Sequence, residues 1–126
     1  MASISVYASM TPSTEELDRS DLDRRDREFG FFGISYHYVI RRDGEIEPGR
    51  PRNVPTPHQG TVAVVLVGGT DSEGGPRDNF TDEQKTALVG LLDRLQRELG
   101  GAEVISKTPS IHQKLLDDLF NVRKTN

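Results

Sequence analysis

The sequence predicts a mixed α/β fold, a central β-sheet of about five strands flanked by helices in one domain over 1–126. Three observations predict it. Residues 61–67, TVAVVLV, form a continuous apolar run bounded by glycines, the mark of a strand buried on both faces. Leu88, Leu91, Leu92, Leu95 and Leu99 recur at i, i+3, i+4, i+7 and i+11, which is one apolar face of a helix. The remaining segments alternate in the order β-α-β-β-β-α-β-α, so helices must pack against a mixed sheet.

The elements follow in order. Residues 3–8, SISVYA, alternate and carry β-branched side chains, as a first strand does. Ser13 and Glu16 have capping-box spacing ahead of a helix over about 14–28. That helix has only Leu17 and Leu22 as clear apolar positions, so it is a thin-faced surface helix held by i,i+4 ion pairs. Residues 35–42 alternate as a strand, Asp43-Gly44 signals a hairpin, and 45–47 return from it. Prolines at 48, 51, 55 and 57 with Gly49 and Gly60 make 48–60 a stiff loop. Residues 70–79 form a polar turn region. Thr81 and Gln84 then open the leucine-striped helix, and Gly100-Gly101 stop it. A short strand over 102–105 precedes a last helix over 111–122 carrying Leu115, Leu116, Leu119 and Phe120.

Composition narrows the function classes. The net charge of −4 leaves no basic excess for phosphate contacts, so nucleic acid is not an expected partner. Without cysteine there is no disulfide framework, which fits a reducing compartment. The opening MASISVYASM lacks a basic n-region and a long apolar run, so no signal peptide is read. No window has the length and apolarity of a membrane-inserted helix.

One stretch carries a family pattern. Residues 30–50 read GFFGISYHYVIRRDGEIEPGR: a glycine–aromatic pair, a strand with Tyr36-His37-Tyr38, an Asp-Gly hairpin and Gly49-Arg50. With Val65-Leu66-Val67-Gly68-Gly69, Asn79-Phe80-Thr81 and Gln84 in order behind it, the set resembles the type-2 N-acetylmuramoyl-L-alanine amidases. That family includes short phage endolysins and the peptidoglycan-recognition proteins. The resemblance implies a zinc hydrolase with two histidine ligands and a third from cysteine or aspartate. Here Tyr7 stands where the first histidine would lie, Ser106-Lys107-Thr108 replaces the second, and Thr108 before Pro109 takes the third place. Tyr36 matches a tyrosine that assists at the zinc in the phage enzymes, and His58 lies near a cleft-lining histidine. The family's Trp-His pair ahead of the glycine–aromatic turn corresponds to Arg25-Asp26. Tyr7, Tyr36, His58 and Lys107 therefore outline a vestigial cleft.

Bland roles compete with each of these. Tyr36 reads as a packed strand tyrosine, His37 as a structural hydrogen-bonding residue on the opposite strand face, His58 as a loop histidine, and His112 has no assigned role. Ser35 and Ser106 lack a nucleophile-elbow context. The charged run over 15–28 is a solvated face, in which Arg24, Arg25 and Arg27 are the candidate partner-contact surface. The ligand census leads to the expectation of a non-enzyme with no metal or other cofactor. It would be a structural or interaction module, a virion component of head, connector or tail, with other virion subunits as partners. The expected location is the virion or the host cytoplasm. Two alternatives remain: a non-catalytic module that binds peptidoglycan fragments, and an inhibitor docking on a host or phage enzyme such as RNA polymerase.

Overall fold

A computed structural model describes residues 3–54, 57–58 and 60–121. At its centre β1 (Ser3–Ala8) and β5 (Thr61–Leu66) run parallel in register, Ser3 opposite Thr61 through Ala8 opposite Leu66. Across the five-stranded sheet the order is β4 (Ile46–Pro48), β3 (Tyr38–Ile40), β5, β1 and β7 (Val104–Ser106). Only the β3–β4 hairpin is antiparallel. The strand read as most buried holds that place, since Val62 through Leu66 are all buried.

Period-two alternation divides the core between the sheet's faces. Ile4, Val6, Val62, Val64 and Leu66 pack with Leu88, Leu91, Leu92 and Leu95 of α2 (Asp82–Glu98). Val39, Val65 and Val67 face the other way, toward Leu22 of α1 (Arg19–Glu28) and Ile34. The α2 capping box forms as the spacing predicts: the Thr81 hydroxyl accepts from the Gln84 N–H, and Gln84 Oε1 accepts from the Thr81 N–H, both at 3.0 Å. The Gln84 amide nitrogen, fully buried, donates to the carbonyls of Ile40 (3.2 Å) and Val67 (2.8 Å).

Several boundaries differ from expectation. Helix α1 begins at Arg19 because Asp18 and Asp21, with the same spacing as Ser13 and Glu16, make the reciprocal cap. The strand expected over 35–42 is regular only at Tyr38–Ile40, the return strand is Ile46–Pro48, and the strand expected over 102–105 is Val104–Ser106. The last helix, α3 (Gln113–Leu116), widens into a π-helical turn at Asp117–Asn121; Val122 lies outside the described residues. A second, parallel pair of two-residue strands, β2 (Thr11–Pro12) and β6 (Gly69–Thr70), was not expected. It continues the β1–β5 partnership beyond the sheet, bridged by Ser9 N–H to the Leu66 carbonyl and Thr11 N–H to the Gly68 carbonyl.

Strand β7 is a sheet edge whose outer backbone groups need cover. Side-chain amides supply it: Asn121 exchanges two hydrogen bonds with Val104, and Gln113 accepts from Ser106 N–H and donates to the Val104 carbonyl. The Gly49-Arg50 pair has an equally local cause. The backbone of Gly49 runs so close to the Tyr36 carbonyl that any Cβ would collide with it.

Two stability outcomes follow. Leu92 is fully buried, so Leu92→Ala should lose roughly 2–5 kcal/mol in urea unfolding. Gln84→Leu keeps the volume but removes the Gln84 hydrogen bonds to the Ile40 and Val67 carbonyls and to the Thr81 N–H, at roughly 1 kcal/mol each, and should unfold at lower urea while retaining its helix content by circular dichroism.

Candidate functional site

Alternation along β1 turns Tyr7 to the α1 side of the sheet, where the structure brings it together with Tyr36 and His58. The Tyr7 and Tyr36 rings meet edge-on with centroids 5.4 Å apart, and Tyr36 and His58 stack at 5.3 Å. Tyr7 and His58 are closer still, at 4.7 Å, with the phenol oxygen 3.0 Å from His58 Nδ1. Three of the four residues assigned to the cleft are therefore one cluster. The fourth, Lys107, starts beside it, its N–H bonded to the Val6 carbonyl, but its side chain is exposed and forms no ion pair among the described residues.

Two residues that sequence reasoning passed over complete the cluster. Ser35 is buried, and its hydroxyl lies 3.3 Å from His58 Nε2. Asp26 Oδ2 accepts both the Ser35 N–H (2.8 Å) and its hydroxyl (2.9 Å). One signal was available: Arg25-Asp26 puts two charges where the resemblance implies Trp-His, on a helix with few apolar anchors, and inward charges need polar partners. Asp23, one turn earlier, holds the Ile34 N–H in the same way at 2.8 Å.

The electrostatics keep the rings neutral. Burial pushes the Tyr36 phenol up to about 12, helped by the Asp26 charge and opposed by Arg25. Burial also raises Tyr7. His58 is lowered, again by burial first, with Asp26 pulling the other way. Among the described residues the Tyr36 hydroxyl makes no hydrogen bond.

His37 takes the structural role expected of it. Its Nδ1 accepts the Ala63 N–H at 2.9 Å, and burial lowers its pKa. The three arginines named as a candidate contact surface are placed differently. Arg24 and Arg27 are exposed but paired along the helix with Asp21 (2.7 Å) and Asp23 (2.8 Å). Arg25 turns inward to the Ser9 carbonyl at 3.3 Å, with Nη1 buried.

The resemblance implies zinc, and the donors at its three positions do not fit it. Tyr7 offers a neutral phenol bonded to His58, Lys107 an ammonium, and Thr108 a buried hydroxyl that accepts the Ala8 N–H at 2.9 Å. Among the described residues there is no group of three or more His, Cys, Asp or Glu able to hold a metal ion. What the cluster offers is stacking and directed hydrogen bonding.

Comparison with solved structures identifies the fold. The N-acetylmuramoyl-L-alanine amidase LysC from Clostridium intestinale superposes with a TM-score of 0.72 at 19% identity, over 94% of this chain and 83% of that one. Drosophila peptidoglycan recognition protein SD gives 0.66 at 14% identity, over 91% and 78%. The fold is that of the amidases and peptidoglycan-recognition proteins, as the resemblance implied. No protein-family model matches the chain. At the sequence level it is 35% identical over 108 residues to the endolysin of Klebsiella phage KP32, covering 82% of this chain and 72% of the relative. With the endolysin of Escherichia phage T7 it shares 32% over 104 residues, 79% of this chain and 69% of the relative. The chain belongs to this family of phage endolysins of the amidase and peptidoglycan-recognition type.

That membership corrects the expectation of a catalytically inactive virion component. The relatives are named endolysins, not head, connector or tail proteins, and amidases stand among the structural neighbours. Neither the non-enzyme reading nor virion subunits as partners stand.

The histidine shifts set a pH dependence. With folded pKa values below the ordinary value of about 6.5, the unfolded chain binds protons first as pH falls. Stability is therefore complete above about pH 6.5 and declines below it, until the folded values are passed. Urea midpoints should drop between pH 7.5 and 5.5. His37→Gln should flatten the slope, whereas the lowered carboxylates, such as Asp23 and Asp43, act only below about pH 4.

Proposed function

We propose that the protein acts on peptidoglycan, seating the muropeptide in the cleft of Tyr7, Tyr36 and His58. The observation that carries this is the cluster itself. Three rings from β1, the approach to β3 and the loop after Arg50 converge within 4.7–5.4 Å on the face of the sheet that α1 leaves partly uncovered. Stacked faces suit sugar and peptide planes, and neutral hydroxyls suit amides and sugar hydroxyls. The names of the relatives, endolysin and N-acetylmuramoyl-L-alanine amidase, support the same ligand. Phe29, Phe31 and Phe32 are exposed on the segment that leads to Ser35.

The test is co-sedimentation with purified cell-wall sacculi, competed by soluble muropeptide. The protein should pellet with the walls, and Tyr36→Ala should weaken binding roughly thirtyfold, as loss of a central aromatic anchor does. Release of new amino groups from the same walls would report amide cleavage as well as recognition. A protein that stays in the supernatant, or a Tyr36→Ala variant that binds as the parent does, would refute the assignment.

A further inference from the structure

We infer that a one-directional hydrogen-bond chain, Asp26–Ser35–His58–Tyr7, commits the Tyr7 proton inward, so that the phenol oxygen meets the ligand as an acceptor and selects an amide N–H. The inference rests on the peptidoglycan reading for its ligand but not for its geometry.

The direction is set at the Asp26 end. A carboxylate only accepts, and Asp26 Oδ2 takes the one proton of the Ser35 hydroxyl at 2.9 Å. The Ser35 oxygen is left with lone pairs, so its 3.3 Å contact with His58 Nε2 requires the proton on that nitrogen. In a neutral imidazole Nδ1 is then the acceptor, and the 3.0 Å contact to Tyr7 requires the phenol to donate. The reverse order would set lone pair against lone pair at Ser35. Burial favours the same state, since it disfavours both an imidazolium at 58 and a phenolate at 7. The charged and titratable groups acting on these rings are Asp26, Arg25 and Arg50, with His37 adjoining. Asp26 and Ser35 are positioning residues; within the chain it is the hydroxyl of Tyr7, part-exposed at the cleft, that meets the ligand's N–H.

The chemical consequence is a change of polarity. A metal ion at this place would draw in a carbonyl oxygen. A phenol whose proton points inward repels that oxygen and welcomes an N–H. In a muropeptide, the amide joining the lactyl group to the first amino acid supplies one.

Two measurements test this separately. Long-range 1H–15N correlation of the free protein at neutral pH should show His58 protonated on Nε2 alone. Ser35→Ala, which removes the acceptor for that proton, should let the ring average between tautomers. Protonation on Nδ1, or on both nitrogens, would overturn the chain whatever the ligand proves to be. The second measurement compares a muramoyl dipeptide with its depsipeptide analogue, in which ester oxygen replaces the amide N–H. The parent protein should prefer the amide by roughly fivefold, the worth of one neutral hydrogen bond, and Tyr7→Phe should bind both alike. A preference that survives Tyr7→Phe would overturn the assignment to Tyr7. Binding of neither probe would refute the peptidoglycan reading and its ligand, and the tautomer would still decide the chain.

Discussion

The side-chain amide of Gln84 has no exposed surface, and its hydrogen-bonding groups meet at one junction. It accepts from Thr81 and Arg42 and donates to the carbonyls that end β3 and follow β5. Helix α2 cannot slide by a residue without leaving the buried Gln84 amide short of its partners in a place water does not reach. The leucine stripe is thereby registered against Val62, Val64 and Leu66. Because side chains alternate along a strand, that choice also fixes what the opposite face receives. Val65, Val67 and Val39 go to the α1 side, and so does Tyr7. The position of the cleft thus descends from the way the other face is packed.

The two faces are covered unequally. One carries the 17 residues of α2 together with α3. The other carries the 10 residues of α1, of which only Leu22 is buried. So slight an apolar contact cannot hold a helix by itself, and α1 is held instead by its charges. Arg19 reaches the Pro48 carbonyl, Arg25 the Ser9 carbonyl, and Asp23 and Asp26 take two successive N–H groups at Ile34 and Ser35. A charge-rich helix can therefore be an inward-fastened element, and its acidic residues shape the cleft by placing the loop that carries Ser35.

Most of the fold could be read in the chain because its strongest signals are local. The apolar run of β5, the α2 stripe and cap, and the Asp-Gly hairpin each depend on neighbours within a few residues. The start of α1 was misplaced because two competing caps share one spacing, and only the tertiary position of Asp18 decides between them. The β2–β6 pair carries no pattern of its own, since it is imposed by strands that happen to continue together. In the site, Tyr7, Tyr36 and His58 were identified through the family pattern, whereas Asp26 and Ser35 were not. Their partnership is a contact between a helix and the loop after it, which neither periodicity nor motif reports. The function was misread for a related reason: missing ligands describe what a site does not hold, and they say little about what it does.

The polar side chains of the cleft are matched by local partners. An isolated phenol, hydroxyl or carboxylate in these positions would each be an unsatisfied buried polar group. Here Thr108 takes the Ala8 N–H, Asp26 takes two donors from Ser35, and Tyr7 reaches His58. Each of these polar side chains finds a partner within the chain, so the cluster is a coherent polar arrangement in place of a damaged one. Its strength as a binding device is bounded by the same physics. A neutral hydrogen bond contributes on the order of 1 kcal/mol, well short of what a metal contributes to holding a carbonyl. Affinity must then come chiefly from ring stacking and desolvated contact area, leaving the hydrogen bonds to choose among ligands.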